Sequence, residues 1–365
     1  MVRFIKKIYM KFVSFSFFNE FNLLIFVSMK FLRFLLFPFA IIYDVVTSIR
    51  NFFFEVGFFK QTSFKVPVIV VGNLSVGGTG KTPQIEYLIR LLKDRFKTVV
   101  LSRGYKRKTE GFVLLNSTHS AEDVGDEPLQ YFKKFDSIDV AVDANRVQGI
   151  TKLIADKSPE VILLDDAYQH RKVKGSFYIL LTKFDDLFTD DFLLPTGNLR
   201  ESRRGAKRAD VILVTKCPVN LSESSKNKIE EKLRKYDKEV FFTSISYDDK
   251  TAGSEAILID DLKKYEVLLI TGIANPTPLL SFLKEKEVNF KHLKFPDHHH
   301  FTDNEIAVIK QEFVDLKSSK KLVLTTEKDY VRLESRLEQL SFLGIQTSFL
   351  AQEEIFKAIL KNHIQ

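Results

Sequence analysis

Apolar and polar positions follow three rhythms along the chain. Up to residue 64 the apolar residues are dense and aromatic, in runs such as Phe21–Met29 and Phe34–Tyr43. Lys30 and Arg33 break the first run; Pro38 and Asp44 interrupt the second. Neither run reaches the roughly 18–20 apolar residues of a membrane span, so the segment predicts helices lying in a membrane interface. From Val66 short β-branched runs take over: Val68–Val71, Thr98–Ser102, Ile138–Val142, Val161–Leu164, Phe177–Leu181 and Val211–Val214. Amphipathic stretches such as Thr82–Lys93 and Arg146–Asp156 fall between them. Fully apolar strands alternating with helices predict an α/β fold with a mostly parallel sheet covered on both faces. Leu221–Tyr236 reads as a charged helix and Asp248–Glu255 as a polar linker. A shorter series follows, with strands at Val267–Ile270, Leu322–Thr325 and Gln346–Leu350 and a helix after Pro278. The division expected is 1–64 for the aromatic segment, 65–262 for the core and 263–365 for a smaller α/β domain.

Composition sharpens the first rhythm. About half of the 35 phenylalanines precede residue 65, and tryptophan is absent. Nine basic residues against three acids put +6 of the net charge of +8 in residues 1–65. The remainder is close to neutral, which argues against a basic nucleic-acid-binding body. A basic, Phe-rich segment is what an anionic membrane surface attracts. The stretch from Met29 reads as a complete beginning, so residues 1–28 are either an upstream extension or a misassigned start. A lone cysteine, Cys217, excludes a disulfide framework and a cysteine-built zinc site.

The sharpest chemistry follows the first strand, in Ser75-Val76-Gly77-Gly78-Thr79-Gly80-Lys81-Thr82. The glycines let the backbone curl its N–H groups toward phosphate oxygens. Lys81 then reaches the β- and γ-phosphates, and the Thr82 hydroxyl is placed to ligate Mg²⁺. Ser75 stands where the strict phosphate-loop pattern has glycine. A second magnesium anchor is expected at the end of a neighbouring strand, and Val161–Leu164 runs into Asp165 and Asp166. Which of the two ligates directly is open. Together these features predict a P-loop NTPase core that takes a nucleoside triphosphate with magnesium. Arg103 and Arg146 are candidates for a substrate phosphate, because a guanidinium matches phosphate bidentately.

The words around these motifs carry a resemblance. Gly72-Asn-Leu-Ser75, Ser102-Arg-Gly-Tyr105, Val124-Gly-Asp-Glu-Pro128 and Asp165-Asp-Ala-Tyr-Gln-His170 come first. Leu194-Pro-Thr-Gly-Asn-Leu-Arg-Glu201, Phe295-Pro-Asp-His-His-His-Phe301 and Thr326-Glu-Lys-Asp329 follow in order. The set resembles the tetraacyldisaccharide 4′-kinases, the lipid A 4′-kinase family, over roughly residues 29–350. Ala167 departs from the family's usual glycine.

The resemblance implies ATP-dependent phosphorylation of the 4′-hydroxyl of a tetraacylated glucosamine disaccharide 1-phosphate. It implies an enzyme peripheral or monotopic at the cytoplasmic face of the inner membrane of a Gram-negative bacterium, where the acceptor's acyl chains lie. It implies Asp126 as the catalytic base, supported by His298 with His299 close behind, and Glu201 on the metal side. Arg200 beside it is a candidate for neutralising phosphate charge, and Thr326–Asp329 has no role derivable from sequence. Two readings compete. A membrane-anchored P-loop NTPase switch leaves Asp126 and the histidines unused, and Pro218 two residues after Lys216 disfavours guanine recognition. A non-enzymatic lipid-binding scaffold has no use for Lys81 and Thr82.

Overall fold

The computed structural model describes residues 33–364. The expectations for residues 1–32, including Phe21–Met29 and the start at Met29, lie outside the described residues. Two sheets organise the rest. The first takes β1 (Val68–Asn73), β2 (Thr98–Ser102), β3 (Val113–Leu114), β4 (Asp139–Val142), β5 (Val161–Asp165), β6 (Phe177–Lys183), β7 (Val211–Thr215) and β8 (Glu239–Tyr247). The second takes β9 (Ala252–Gly253), β10 (Glu266–Thr271), β11 (Asn289–Lys294), β12 (Lys321–Thr326) and β13 (Ser341–Leu343), after which β14 (Ile345–Phe349) returns to the first. The nine-stranded sheet runs β14-β8-β7-β6-β1-β5-β2-β4-β3, and the five-stranded one β11-β10-β12-β13-β9. Pairing is parallel except at β3, β9 and β14, each on an edge.

Alternation along the strands explains the layering. Ile69 and Val71 pack on one face with Ile85, Leu88 and Ile89 of the helix Lys81–Leu92. Val68 and Val70 pack on the other with Ile150 and Leu153 of the helix Arg146–Lys157. Each fully buried aliphatic side chain contributes about 1.5–3 kcal/mol, so a one-residue slip in β1 would forfeit both layers. β1 lies between β5 and β6, where the connections reverse direction. Ligands of such sheets bind outside the carboxyl ends of the strands at this reversal, and the Gly-rich loop leaves β1 there.

Two differences from expectation concern the ends of the sheets. The strand expected at Gln346–Leu350 in the second series pairs instead with β8, and the helix Glu353–Lys361 buries Phe356 and Leu360 in the first core. The expected linker Asp248–Glu255 contains β9 and already belongs to the second sheet. The chain therefore leaves the first sheet after Tyr247 and re-enters it at Ile345, and these two residues are cross-strand partners.

Among the described residues, the aromatic segment holds the helix Phe37–Glu55, with Pro38 in its first turn. Asp44 does not end it, because its carboxylate accepts from Ser48 Oγ one turn on. The helix is amphipathic in reverse. Thr47 and Asn51 are buried against the body, while Ile41, Ile42, Val45, Val46, Ile49 and Phe52 face outward. Its inner side is bonded to the core: Tyr43 Oη donates to the Arg200 carbonyl at 2.8 Å, Asn51 Nδ2 to Glu201 at 3.0 Å and Arg50 to the Gln169 carbonyl at 2.9 Å. By length and apolarity it is long enough to cross a membrane.

Candidate active site

The phosphate loop is held from outside by β7 and its exit. Thr215 Oγ1 donates to the Thr79 carbonyl and Lys216 Nζ to the Gly78 carbonyl, both at 2.7 Å. A trans peptide sends its N–H opposite to its carbonyl, so anchoring the Thr79 carbonyl turns the Gly80 N–H toward the loop's inner side. Ser75 and Val76 are fixed by a second strip of chain, where Val76 N donates to the Asn198 carbonyl at 2.7 Å and Ser75 bridges Leu199. Gly77 and Gly80 sit at φ +111° and +86°, which side chains with a Cβ rarely adopt. Lys81 and Thr82 open the following helix. Lys81 Nζ lies 3.3 Å from Asn73 Oδ1, to which it donates, and 3.6 Å from Asp166 Oδ1.

Asp165 ends β5 and Asp166 follows it, and the register puts Asp165 level with Val71 of β1. Their environments differ. Asp165 is buried and accepts from Ser102 Oγ at 3.0 Å. Burial, and then the carboxylates of Asp166 and Glu127, push it up to about 7. Burial acts on Asp166 in the same direction, but Lys81 and Arg200 beside it hold it below the usual carboxylate range. Arg200 grips Asp166 with both Nη groups, at 3.3 and 2.8 Å, and also meets Asn73 Oδ1.

The remaining phosphate-side candidates separate. Arg146 is 2% exposed; it donates to the Asp143 carbonyl at 2.6 Å and toward the Asp165 carbonyl at 3.4 Å. Burial pushes it down to about 10, so it braces the acidic strand end from behind. Arg103 is exposed and close enough to add its charge to the surroundings of Arg146 and His170. Glu201, expected beside the metal, has both oxygens engaged elsewhere: Asn51 on one, Gln169 and Arg208 on the other at 3.0 and 2.8 Å. Three side-chain donors, one a guanidinium, satisfy that buried carboxylate, and its local role is to seat the helix Phe37–Glu55.

Asp126 opens the helix Asp126–Lys134 after Gly125, whose φ is +94°. Farther along this helix Gln130 and Lys134 both donate to Glu86 of the phosphate-loop helix at 2.7 Å, so the two helices lie together. His298 comes from the second sheet, in the turn after β11, and its Nδ1 is 2.9 Å from Asp126 Oδ2. Its Nε2 is 2.9 Å from Lys328 Nζ. Arg332 completes the cluster, donating from Nε to Asp126 Oδ1 at 2.7 Å and from Nη2 to Oδ2. Burial works to raise the Asp126 pKa, but His298 and Arg332 overcome it and hold the carboxyl well below its ordinary range. His299 is not part of this cluster. It stacks on Phe295 and meets Glu305 at 2.9 Å, clipping the loop to the start of the helix Asp303–Val314.

Sequence reasoning missed Arg332, and it named Lys328 only within the Thr326–Asp329 stretch, without a role. They lie on the helix Glu327–Leu333, which grows out of the Thr326–Asp329 stretch. Thr326 and Asp329 cap that helix and tie it to Gly272, whose N–H donates to Asp329 at 2.8 Å. Glu327 reaches across to Lys134 at 2.6 Å. The motif thus has a visible role: it carries the second sheet's side chains onto the first.

The family model for tetraacyldisaccharide-1-P 4′-kinase matches residues 32–365. The chain belongs to the tetraacyldisaccharide 4′-kinase family. A Flavobacterium psychrophilum protein of that name is 53% identical over 92% of this chain and 98% of its own length. One from Bacteroides thetaiotaomicron is 46% identical over 82% of each chain. The crystal structure of LpxK from Aquifex aeolicus in complex with ATP superposes with a TM-score of 0.76 at 32% identity, covering 92% of this chain and all of that one. These matches run through both sheets, so the family assignment covers the P-loop core and the second body alike.

Proposed function

We propose that this chain transfers the γ-phosphoryl group of ATP to the 4′-hydroxyl of a tetraacyl disaccharide 1-phosphate, with Asp126 as the base. The observation that carries the reading is the Asp126–His298 pair, a carboxylate and an imidazole brought together from two sheets beside a phosphate loop. A nucleotide switch has no need of it.

The nucleotide side fits its ligand. Among the described residues, Asn73 Nδ2 and Thr79 Oγ1 are buried without a hydrogen-bond partner, and a Cβ at Gly77 would meet open space. Unused donors and free room at the loop suit phosphate oxygens. Thr82 and Asp165 would hold Mg²⁺, because Asp166 is already claimed by Arg200 and Lys81 while Asp165 keeps Oδ1 free of them. Held there, Mg²⁺ would supply positive charge against the negative charge that develops on the phosphate oxygens. Lys81 and Arg200 add fixed positive charge at the same place. In the transfer the bond from the γ-phosphorus to the ADP oxygen breaks and a bond to the sugar oxygen forms. The hydroxyl proton passes to Asp126.

The reverse amphipathicity of the helix Phe37–Glu55 supports a membrane-facing role. Its polar side is consumed by the body, so its apolar side is left for lipid. A helix bonded along one flank to a water-soluble core lies in the interface more readily than it spans it. That arrangement brings the cleft to an acceptor whose acyl chains stay in the bilayer.

Incubation with γ-labelled ATP and a lipid A disaccharide 1-phosphate in mixed micelles tests the whole reading. Label on the lipid is the expected result. Release of labelled phosphate without labelled lipid would favour the switch instead.

A further inference from the structure

We propose that Arg332 is a positioning residue for Asp126: its guanidinium fixes which carboxylate oxygen receives the acceptor's proton, and that oxygen is Oδ1. The inference rests on the reading of Asp126 as the base.

The argument counts lone pairs. An ionised carboxylate offers about four acceptor positions, two on each oxygen. At Oδ2 Arg332 Nη2 uses one, and His298 Nδ1, 2.9 Å away, covers the other. At Oδ1 one is used, by Arg332 Nε at 2.7 Å. The remaining position on Oδ1 is the place left for a hydroxyl. His298 closes the other oxygen by its position. Its ring lies between two cations that can only donate, Lys328 Nζ 2.9 Å from Nε2 and Arg332 Nη2 2.9 Å from Nδ1. Whichever nitrogen carries the ring hydrogen, the Nδ1 edge of the imidazole sits 2.9 Å from Oδ2 and keeps it closed to the acceptor.

The clamp also spans the two sheets. Arg332 is nearly buried and is itself braced by Asp329 at 3.8 Å. The titratable and charged groups around Asp126 are Glu127 on its own helix, Arg332, Lys328 and Asp329 from the helix Glu327–Leu333, and His298 and Asp297 from the turn after β11. Arg332 and His298 are the two that touch it, so losing the guanidinium should let the carboxyl take up a proton more easily. A weak, fully ionised base suits a loose phosphoryl-transfer transition state, in which the hydroxyl proton leaves late.

The test compares Arg332→Gln, Arg332→Lys and Asp126→Asn in the full chain, with ATP and micellar lipid acceptor, across a pH series. For Arg332→Gln we expect kcat to fall roughly tenfold to a hundredfold, an unchanged KM for ATP, and an acid limb of kcat/KM moved to higher pH. Arg332→Lys keeps the charge but not the fork, so it should restore the limb and only part of kcat. An unmoved acid limb in Arg332→Gln, with kcat within about twofold or lost equally in both variants, overturns the inference. Asp126→Asn separates the two readings. If it turns over normally, the base assignment itself fails; if it is inactive while Arg332→Gln behaves as wild type, only the role of Arg332 fails.

Discussion

The phosphate side and the base side of this cleft are built by opposite means. The phosphate side is built on backbone: one contiguous loop from Asn73 to Thr82, whose carbonyls are anchored by Thr215 and Lys216, and one strand end at Asp165 and Asp166. The base side is side chain to side chain across the molecule. Asp126 meets His298 from 172 residues away and Arg332 from 206. A backbone-built half keeps its shape when one side chain changes. A side-chain-built half depends on each partner and on the two sheets staying together.

The largest effect should come from the base side. Asp126→Asn keeps the shape and loses the proton acceptor, so kcat should fall about 10²–10⁴-fold with ATP affinity retained. Steady-state kinetics beside ATP titration calorimetry checks this, and a change confined to KM would move the base elsewhere. Next comes Lys81→Ala. It should cost roughly 10²–10³ in kcat without unfolding, because the loop is anchored by Thr215 and Lys216 rather than by Lys81. A folded Lys81→Ala protein with near-normal turnover breaks the phosphate-side assignment.

A smaller effect concerns stability without nucleotide. Asp165 has its folded-state pKa raised to about 7, above its ordinary 3.8. Between those values the folded chain holds a proton that the unfolded chain has released. Stability should therefore fall as pH rises from about 4 to about 7 and level off above. Glu327, also raised to about 7 by burial and then by Glu86, adds to the same slope. Thermal melts of Asp165→Asn should show a shallower decline over that window; an identical slope would mean that Asp165 is ionised throughout.

The exposed apolar face of the helix Phe37–Glu55, proposed to meet lipid, belongs to neither half and should behave so. Ile42→Ser or Val46→Ser removes an exposed apolar side chain, and partition onto anionic vesicles should drop about tenfold for each. ATP binding should not change, and unchanged vesicle sedimentation would argue against lipid contact there. The smallest effect is expected at His299. Its contacts are Glu305 and Phe295, so His299→Ala should change kcat by less than about threefold. A loss equal to that of His298→Ala would put both histidines in the chemistry.

Legibility in the sequence follows the same division. The buried strands β1, β2, β5, β6 and β7 are runs of apolar residues, and the P-loop is contiguous, so both can be read without the fold. β8, the nine-residue Glu239–Tyr247, escaped because polar Thr243, Ser244 and Ser246 break its apolar run. The destination of Gln346–Leu350 was invisible because pairing with β8 depends on where the chain returns, not on local pattern. Asp126 and His298 could be named only through resemblance. Arg332 had no local signal, since an arginine on a charged helix looks like any solvated one until the partner 206 residues away is known.

The cross-strand pair Tyr247 and Ile345 makes the second body a graft on a single stem. All five strands of its sheet fall between residues 252 and 343. Removing residues 249–343 would join Asp248 directly to Gly344 and leave Tyr247-Asp-Gly-Ile345. Asp-Gly is the dipeptide a tight two-residue hairpin prefers, and its flanking residues pair directly, as Tyr247 and Ile345 already do. The chain thus carries its own scar-free closure. The excised protein should keep the nine-stranded sheet and bind ATP. It should transfer nothing, having given up His298 and Arg332 in one cut.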